Sequence, residues 1–456
     1  MRGRSVFFLC ALLFPALLGA QQNTSTLSTV DDLVRAGIAN NKDLAAARER
    51  IAEAKGLTRQ AGVRPSPTLG LSGATGKPLG TIGEEQYGAE YSQSIETFGK
   101  RGKRVRVAEF SVSIAEAEFQ QRSAELAYQI TTAYSEVLAQ RRKLKVLKDL
   151  IGLNQDTLRL TEARVKEGDV APLDANLLRV EISRAEVSRT SAQGRLASAE
   201  LELRRLVGLD EATAIPDTDI PTPAPASLDT LKQEALENRA DFKSARLEEQ
   251  QEAAGIVLAK AEAKPDVTLS AGYTRQDNEF DGLYGFNNAG TLSPLRDRDD
   301  VLTFGVSIPL RTSRSGAGNV QAATARTSGA RLRREYLERN IPLEVEAAYQ
   351  RWRAAANSLQ MLQSGVLNPS TANLSVIREA YRLGQLRLLD VLNEQRRLTD
   401  TQLTYIDAQT DAARTWAEVD ETPDDLTSLQ YRGAGRVQSE RQPKGRCGIF
   451  PAREFE

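Results

Sequence analysis

The stretch YRLGQLRLLDVL, residues 381–392, lies between two long segments with a helical pattern of apolar and polar residues. A weaker copy, VKEGDVAPLD, occupies residues 165–174. In each copy a glycine, Gly168 or Gly384, ends one helical pattern, and an aspartate follows it six residues later inside the next. Glycine favours the left-handed conformation found just after helices, and proline suits the first turn of a new one. Each stretch predicts a tight joint between two helices, and the repetition predicts a duplicated protein.

The two halves of the chain share one order of predicted elements: a helix, two short strands, a long helix and a second long helix. We place the first repeat at residues 21–213 and the second at residues 228–421, with a Pro-rich linker at 214–227. Residues 422–456 are rich in Gly, Pro and Arg and predict a disordered tail.

The first 20 residues have the pattern of a secretory signal peptide. Arg2 and Arg4 precede an apolar run at 6–18, and Gly19-Ala20 supplies small residues before the expected cleavage point. A membrane anchor is the alternative, but the apolar run is shorter than a bilayer span. We therefore expect the mature chain to be exported.

Composition excludes several classes of function. The formal net charge is −1 over 456 residues, so no basic excess is present to bind nucleic acid. The sequence contains no histidine, and its two cysteines are Cys10 and Cys447. Histidine bases, Cys–His dyads and His–Cys metal sites are therefore excluded. We expect a protein that is not an enzyme and has no cofactor or metal.

Four segments alternate apolar and polar residues, as half-buried strands do. Strands of about ten residues, tilted near 45°, have the length that crosses a bilayer. An open four-stranded sheet in lipid would leave its edges unpaired, so closure needs several chains. Two chains give eight strands with a filled interior, and three give twelve with a passage, which we favour. The segments lie near residues 68–73, 87–96, 266–273 and 302–310, with loops at about 76–85 and 275–300.

Long helical patterns make up most of the remaining chain. The first starts near Val30 and continues to Pro65. Another covers about 102–167 without proline, which corresponds to about 100 Å of helix. Pro342 and Pro369 are expected to kink the second repeat. Polar outer faces place these helices outside the bilayer.

A basic run, Arg101, Lys103, Arg104 and Arg106, follows the second strand closely. Phosphate binding is one interpretation, but no Walker-type glycine spacing accompanies the run. We favour a solvated basic collar at the edge of a membrane.

With the joints, the duplication and the strand pairs, the chain resembles the outer membrane efflux protein family, typified by the TolC channel. The most specific matches are the Tyr-Arg-Leu-Gly segment with Asp390 beyond it, and the strand exit SIETFGKR at 94–101. The resemblance covers about residues 27–421. It implies a mostly α-helical, duplicated fold whose homotrimer forms a twelve-stranded β-barrel in the outer membrane, continued by a long α-helical barrel through the periplasm.

The resemblance also implies function and partners. Members of the family are exit channels of tripartite efflux pumps or type I secretion systems. They contact outer-membrane lipid and dock with a periplasmic adaptor (membrane fusion) protein and an inner-membrane transporter.

In the family, polar links at the helix joints close the periplasmic end of the channel. For the matching residues of this chain, the resemblance implies that Tyr381 donates a hydrogen bond to Asp174. It also implies that Asp390 from three chains forms an anionic ring that favours cations.

Two positions depart from the family pattern. Leu386 stands where a typical member has arginine, and the adjacent Arg387 points about 100° away on a helix. Asn393 stands where a second aspartate is typical. We therefore expect fewer closing links and a less selective ring.

Two other classes of protein compete with the channel. A periplasmic adaptor or other coiled-coil structural protein would also combine a signal peptide with long helices, but the duplication counts against it. A soluble periplasmic enzyme would need a catalytic set, and no such set is recognisable in the sequence. The transported substrate is left open among drugs, metals and proteins, with small molecules as the default.

Overall fold

The computed structural model describes residues 28–79, 84–219, 227–310 and 316–419. The predicted signal peptide and the predicted tail lie outside these residues, as does half of the Pro-rich linker. Among the described residues, every helix is too short or too polar to cross a membrane.

The chain starts with two helices, α1 (Val30–Asn40) and α2 (Lys42–Ala61). The prediction of one continuous helix over this segment is wrong. At the break, the side-chain oxygen of Asn41 accepts hydrogen bonds from the backbone N–H groups of Asp43 and Leu44, at 2.9 and 3.1 Å. A capping asparagine starts a new helix in place of continuing the old one, and the apolar pattern does not register this change.

The remaining helices of the first half and the helices that open the second follow the predicted order. The longest has 68 residues, which gives it a length of about 100 Å. The second half opens with a helix pair broken at Arg239, at the place that corresponds to Asn41. These helices are α3 (Lys100–Glu167), α4 (Pro172–Val207), α5 (Leu228–Asn238) and α6 (Ala240–Glu262).

The long helical segment of the second repeat is divided, whereas its counterpart in the first repeat, α3, is continuous. A π-helical segment, Leu362–Leu367, interrupts it just before Pro369, whose missing N–H it accommodates. Pro342, in contrast, lies inside a helix. The helices of this half are α7 (Ala317–Met361), α8 (Asn368–Arg382) and α9 (Leu388–Val419).

The strands form one antiparallel sheet in the order β1-β2-β3-β4. Strands from the two repeats meet at its centre, where Ile95 of β2 pairs with Val267 of β3. Strands β1 and β4 are the edges and have no further partner among the described residues. Their bounds are β1 (Thr68–Thr75), β2 (Glu85–Ile95), β3 (Val267–Phe286) and β4 (Leu292–Ser307).

Strands β3 and β4 are much longer than predicted, and the expected loop at 275–300 is wrong. Beyond the pair of Asp277 with Glu85, the first residue of β2, the two strands continue as a two-stranded hairpin among the described residues. Cross-strand ion pairs hold it, with Arg298 2.8 Å from Asp277 and Arg296 3.2 Å from Glu279. Because charged residues occupy this part of both strands, it lacks the apolar alternation by which the sequence predicts strands.

The two faces of the sheet differ in character. Residues directly paired across antiparallel strands share a face, so Leu69, Tyr91, Ala271 and Phe304 form one apolar row. Phe304 is 82% exposed in the single chain. The opposite face carries mainly serine, threonine and glycine, in rows that include Ser92, Ser270 and Gly305 and then Gly70, Glu90, Gly272 and Thr303.

The main helical core lies where α1, α3 and α4 meet. Leu33, Ile130 and Leu203 are fully buried there. The Tyr134 hydroxyl donates to the carbonyl oxygen of Thr218 at 2.7 Å and accepts from its N–H at 3.0 Å. Burial raises the pKa of the Tyr134 hydroxyl. This core anchors the start of the linker against the long helices.

Candidate functional site

The two predicted joints have the same backbone structure. Gly168 and Gly384 both adopt left-handed conformations, with φ of 84° and 75°. In each joint the residue after the glycine donates its N–H to a carbonyl five residues earlier, Asp169 to Arg164 at 3.0 Å and Gln385 to Ala380 at 2.9 Å. This is the hydrogen-bond pattern of a Schellman cap. Each of these glycines therefore ends a helix in the described structure.

Tyr381 is the central side chain of the candidate site and is 3% exposed. Its hydroxyl lies 2.8 Å from the Oγ1 of Thr161 on α3. Thr161 already donates its own hydroxyl proton to the carbonyl oxygen of Thr157, at 2.8 Å. The Tyr381 hydroxyl is therefore the donor in the contact with Thr161. This bond ties the last turn of α8 to the last turns of α3.

Arg164 reinforces the same tie. Its guanidinium carbon lies 5.4 Å from the centroid of the Tyr381 ring, within the range of a cation–π contact. Its Nη1 donates to the Tyr381 carbonyl oxygen at 3.4 Å. One arginine thus contacts both the ring and the backbone at the end of α8.

An apolar cluster surrounds the tyrosine. It joins Leu178 of α4 to Leu388, Val391 and Leu392 of α9, all of them buried. The helices from both joints therefore pack around Tyr381, and the cluster fixes where its hydroxyl points.

The expected hydrogen bond from Tyr381 to Asp174 is not formed, and this prediction is wrong for the single chain. Asp174 and Leu178 are four residues apart in α4, so they share a face one helical turn apart. Leu178 packs on Tyr381, which leaves Asp174 one turn nearer the joint. Thr161 lies at the level of the hydroxyl and takes the bond.

Asp390 and its neighbours lie at the start of α9. Asp390 is exposed, and its Oδ2 accepts the backbone N–H of Arg387 at 3.2 Å. This is half of a capping box, which stabilises the helix start. Arg387 and Asn393 are exposed as well. The structure thus places these three side chains in solvent at the joint, while their role in an aperture stays a prediction.

Sequence reasoning missed the ion pairs between the two repeats below the joints. The Nε of Arg396 on α9 lies 3.3 Å from Glu181 Oε2 on α4, and its Nη2 contacts the other carboxylate oxygen. The hydrogen bond to Glu181 raises the pKa of the Arg396 guanidinium. The signal was present in the duplication, because the two residues occupy similar places, about two turns beyond Asp174 and Asp390, with opposite charges.

A groove of about 760 Å³ runs between α3, α4 and α9 beside this ion pair. Asn154 and Gln395 line it and are each 2% exposed. The Oδ1 of Asn154 and both amide atoms of Gln395 lack hydrogen-bond partners within the described structure. The interface between the repeats is thus polar at this level. Groups of residues suited to bind a metal ion were not found in the described part of the chain.

The chain matches a known protein family, in agreement with its duplicated joints, long helices and shared sheet. Residues 33–209 and 231–421 match the family described as "Outer membrane efflux protein". The chain belongs to this family.

Similar proteins cover most of the chain. The cobalt-zinc-cadmium resistance protein CzcC of Cupriavidus metallidurans is 25% identical over 416 residues, which are 87% of this chain and 93% of CzcC. The solved structure of CusC has a TM-score of 0.69 at 19% identity and covers 86% of this chain and 91% of its own. VceC of Vibrio cholerae has a TM-score of 0.66 at 19% identity and covers 86% and 96%.

This outer membrane efflux protein has the duplicated fold of TolC-like outer-membrane factors. It is an outer-membrane efflux channel that extends into the periplasm. The channel family replaces the periplasmic adaptor or coiled-coil structural protein that the sequence left as an alternative. Membership in a family of channels is also consistent with a protein that is not an enzyme.

Proposed function

We propose that this protein is the exit duct of a tripartite efflux system and works as a homotrimer. The observation that carries the proposal is the four-stranded sheet with one apolar face and two open edges, β1 and β4. Edges that face lipid need hydrogen-bond partners, and another copy of the chain supplies them. Three four-stranded sheets form a twelve-stranded barrel, which is wide enough to leave a passage.

The partners follow from the same proposal. A duct that ends in the periplasm receives its cargo from a periplasmic adaptor and an inner-membrane transporter. We propose small solutes as the cargo, metal ions included, because the relative CzcC is named for resistance to cobalt, zinc and cadmium. Secretion of a protein by a type I system is the alternative cargo class.

The gate is proposed to lie at the helix joints. Tyr381, Thr161 and Arg164 form the tie between the repeats that holds the joints together. Asp390, with Arg387 and Asn393 beside it, is exposed at the start of α9. Repeated in three copies, Asp390 forms an anionic ring at the aperture. The Asp174 carboxylate lies near the other joint, the one that contains Gly168, and adds negative charge there.

Native mass spectrometry of the full chain extracted in detergent tests the assembly. The expected result is a trimer that survives mild detergent and forms ion-conducting pores in planar bilayers. A water-soluble monomer that needs no detergent would contradict the proposal. Crosslinking in cells, followed by identification of co-purified proteins, tests the partners: an adaptor and an inner-membrane transporter are expected together.

A further inference from the structure

The junction between the sheet and the long helices is the surface from which this inference is drawn. Strand β2 ends at Ile95 and helix α3 begins at Lys100. Strand β3 begins at Val267, directly paired with Ile95. The first repeat therefore passes from strand to helix, and the second from helix to strand, at the same level, where the apolar face of the sheet ends.

Two of the cations at this junction are fully engaged within the protein. Lys100 is 4% exposed, and its Nζ lies 2.8 Å from Asp266 Oδ2 and 2.7 Å from the Lys264 carbonyl oxygen. Arg104 binds both carboxylate oxygens of Glu96. The Lys100–Asp266 pair joins the two repeats at the end of the sheet, and the Arg104–Glu96 pair lies within the first repeat, so both acidic groups are already neutralised.

Three other cations at the junction contact groups that carry no negative charge. The Nε of Arg101 donates to the carbonyl oxygen of Gly62. The Nζ of Lys103 donates to the carbonyl oxygen of Phe98 at 2.8 Å. The Nζ of Lys264 lies 4.3 Å from the centroid of the Phe98 ring. The junction therefore carries positive charge that none of these contacts neutralises.

Large apolar side chains are exposed at the same level. Phe98, Val63, Ile95 and Ile308 are all between 45% and 51% exposed. Phe98 also has a φ of 56°, a left-handed conformation that is an outlier for a bulky residue. Such strain persists where the surrounding structure holds it, and it is concentrated at functional positions. Here the left-handed backbone places the Phe98 ring at the surface beside Lys264.

We propose that this junction binds the headgroups of anionic phospholipids in the inner leaflet of the outer membrane. Aromatic and apolar side chains next to Lys and Arg are the pattern of a membrane interface. Basic clusters at that level attract lipid phosphates. The helices that leave the junction extend into the periplasm, so the leaflet at this level is the periplasmic one. The inference rests on the outer-membrane location and does not depend on the proposed gate.

Lipid binding to the detergent-solubilised full chain tests the proposal, with native mass spectrometry to count bound phosphatidylglycerol and phosphatidylcholine. The wild type is expected to retain phosphatidylglycerol preferentially, and added salt is expected to weaken that binding. The double variant Arg101→Gln with Lys264→Gln is expected to lose about fivefold in affinity per removed charge. Equal retention of the two lipids by the wild type would overturn the proposal.

Matched controls separate lipid binding from folding. Lys148→Gln removes an exposed lysine of α3 about 70 Å further along the same helix, and it is expected to leave lipid binding unchanged. Arg101→Lys with Lys264→Arg keeps both charges and is expected to retain the lipid. If the double glutamine variant does not fold, salt-independent phosphatidylglycerol binding by the wild type overturns the proposal.

A competition experiment identifies the leaflet. Phosphatidylglycerol is expected to remain bound at the junction when lipopolysaccharide is added in equal amount. Displacement by lipopolysaccharide would assign the basic residues to the outer leaflet and overturn the inner-leaflet site. Failure of the chain to form a trimer would contradict the proposed function and leave this lipid measurement interpretable, because each chain carries the whole junction.

Discussion

At the scale of single residues, the Tyr381 hydroxyl makes a buried hydrogen bond that joins the two repeats near their helix joints. It donates to Thr161, a residue 220 positions earlier, whose own proton is used by Thr157. In this bond the Tyr381 hydroxyl is therefore the donor and the Thr161 hydroxyl oxygen is the acceptor. Loss of the Tyr381–Thr161 bond would leave Thr161 bonded to Thr157, so the effect on folding should be small. The loss should mainly loosen the contact between α8 and α3 at the joint.

We expect Tyr381→Phe to favour the open state of the channel. A hydrogen bond of this kind contributes about 1 kcal/mol, which corresponds to about a fivefold change in the ratio of open to closed states. Single-channel recording in planar bilayers measures it as raised mean conductance. Thr161→Val removes the acceptor and should match Tyr381→Phe, whereas Thr161→Ser should behave as the wild type. Wild-type conductance in both Tyr381→Phe and Thr161→Val would remove this tie from the gate.

Asp390 supplies a second prediction at the same scale. Asp390→Ala should reduce the preference of the pore for cations, because each copy then loses one exposed carboxylate at the proposed aperture. Asp390→Asn removes the charge while keeping a side chain that caps the helix, so it should give the same loss. Reversal potentials in a salt gradient measure the selectivity.

Glu379→Gln is the matched control for Asp390. Glu379 is exposed near the end of α8 and is already paired with Arg382 at 2.6 Å, so its change should leave selectivity as it was. Unchanged selectivity in Asp390→Asn would show that this residue only starts helix α9.

At the scale of elements, the hairpin that extends β3 and β4 stands apart from the rest of the sheet. Strand β2 pairs with β3 only as far as Asp277, so within the described part of the chain the remainder of the hairpin has two strands and no third. Two-stranded hairpins are marginally stable alone. Ion pairs along its base, such as Arg296 with Glu279, contribute to holding it.

Trimming this hairpin tests whether it takes part in closing the sheet. We expect the protein to keep its detergent-resistant assembly and its conductance when residues 280–295 are replaced by Asn-Gly, a favoured two-residue turn. The pair Glu279–Arg296 and every pair below it are retained in this variant. Gel mobility without heating and bilayer recording measure the outcome. A monomeric product would show that the extension contributes to subunit contacts.

At the scale of the whole molecule, the two faces of the sheet decide what surrounds the protein. Phe304 and Thr303 are neighbours on β4 and lie on opposite faces, one apolar and one rich in serine, threonine and glycine. Phe304→Arg should cost about 2–4 kcal/mol if the apolar face meets lipid near the middle of the bilayer. The thermal stability of the detergent-resistant trimer measures this cost.

Thr303→Arg provides the comparison on the other face. An arginine there would face the water-filled passage and should leave the trimer stable, with an effect on conductance instead. A stable Phe304→Arg trimer together with an unstable Thr303→Arg trimer would show that the faces are reversed.

Local signals were sufficient for a large part of this structure. The left-handed conformations at Gly168 and Gly384 follow from glycine after a helical pattern, and the strand starts near Thr68 and Val267 follow from alternation. These features depend on residues within one or two turns of each other, which a sequence displays directly. The break at Asn41 is local too, but the capping function of one side chain was masked by the apolar pattern around it.

The sequence by itself determined the duplication, the paired joints and the alternation of the strands, because each depends on short-range periodicity and on the backbone preferences of glycine and proline. Only the tertiary structure decided that Tyr381 bonds to Thr161 in place of Asp174, that Arg396 pairs with Glu181, and that charged residues extend β3 and β4. The first two contacts join residues 220 and 215 positions apart in the chain. Their partners are set by how the helices pack and how the strands align, which no local pattern encodes.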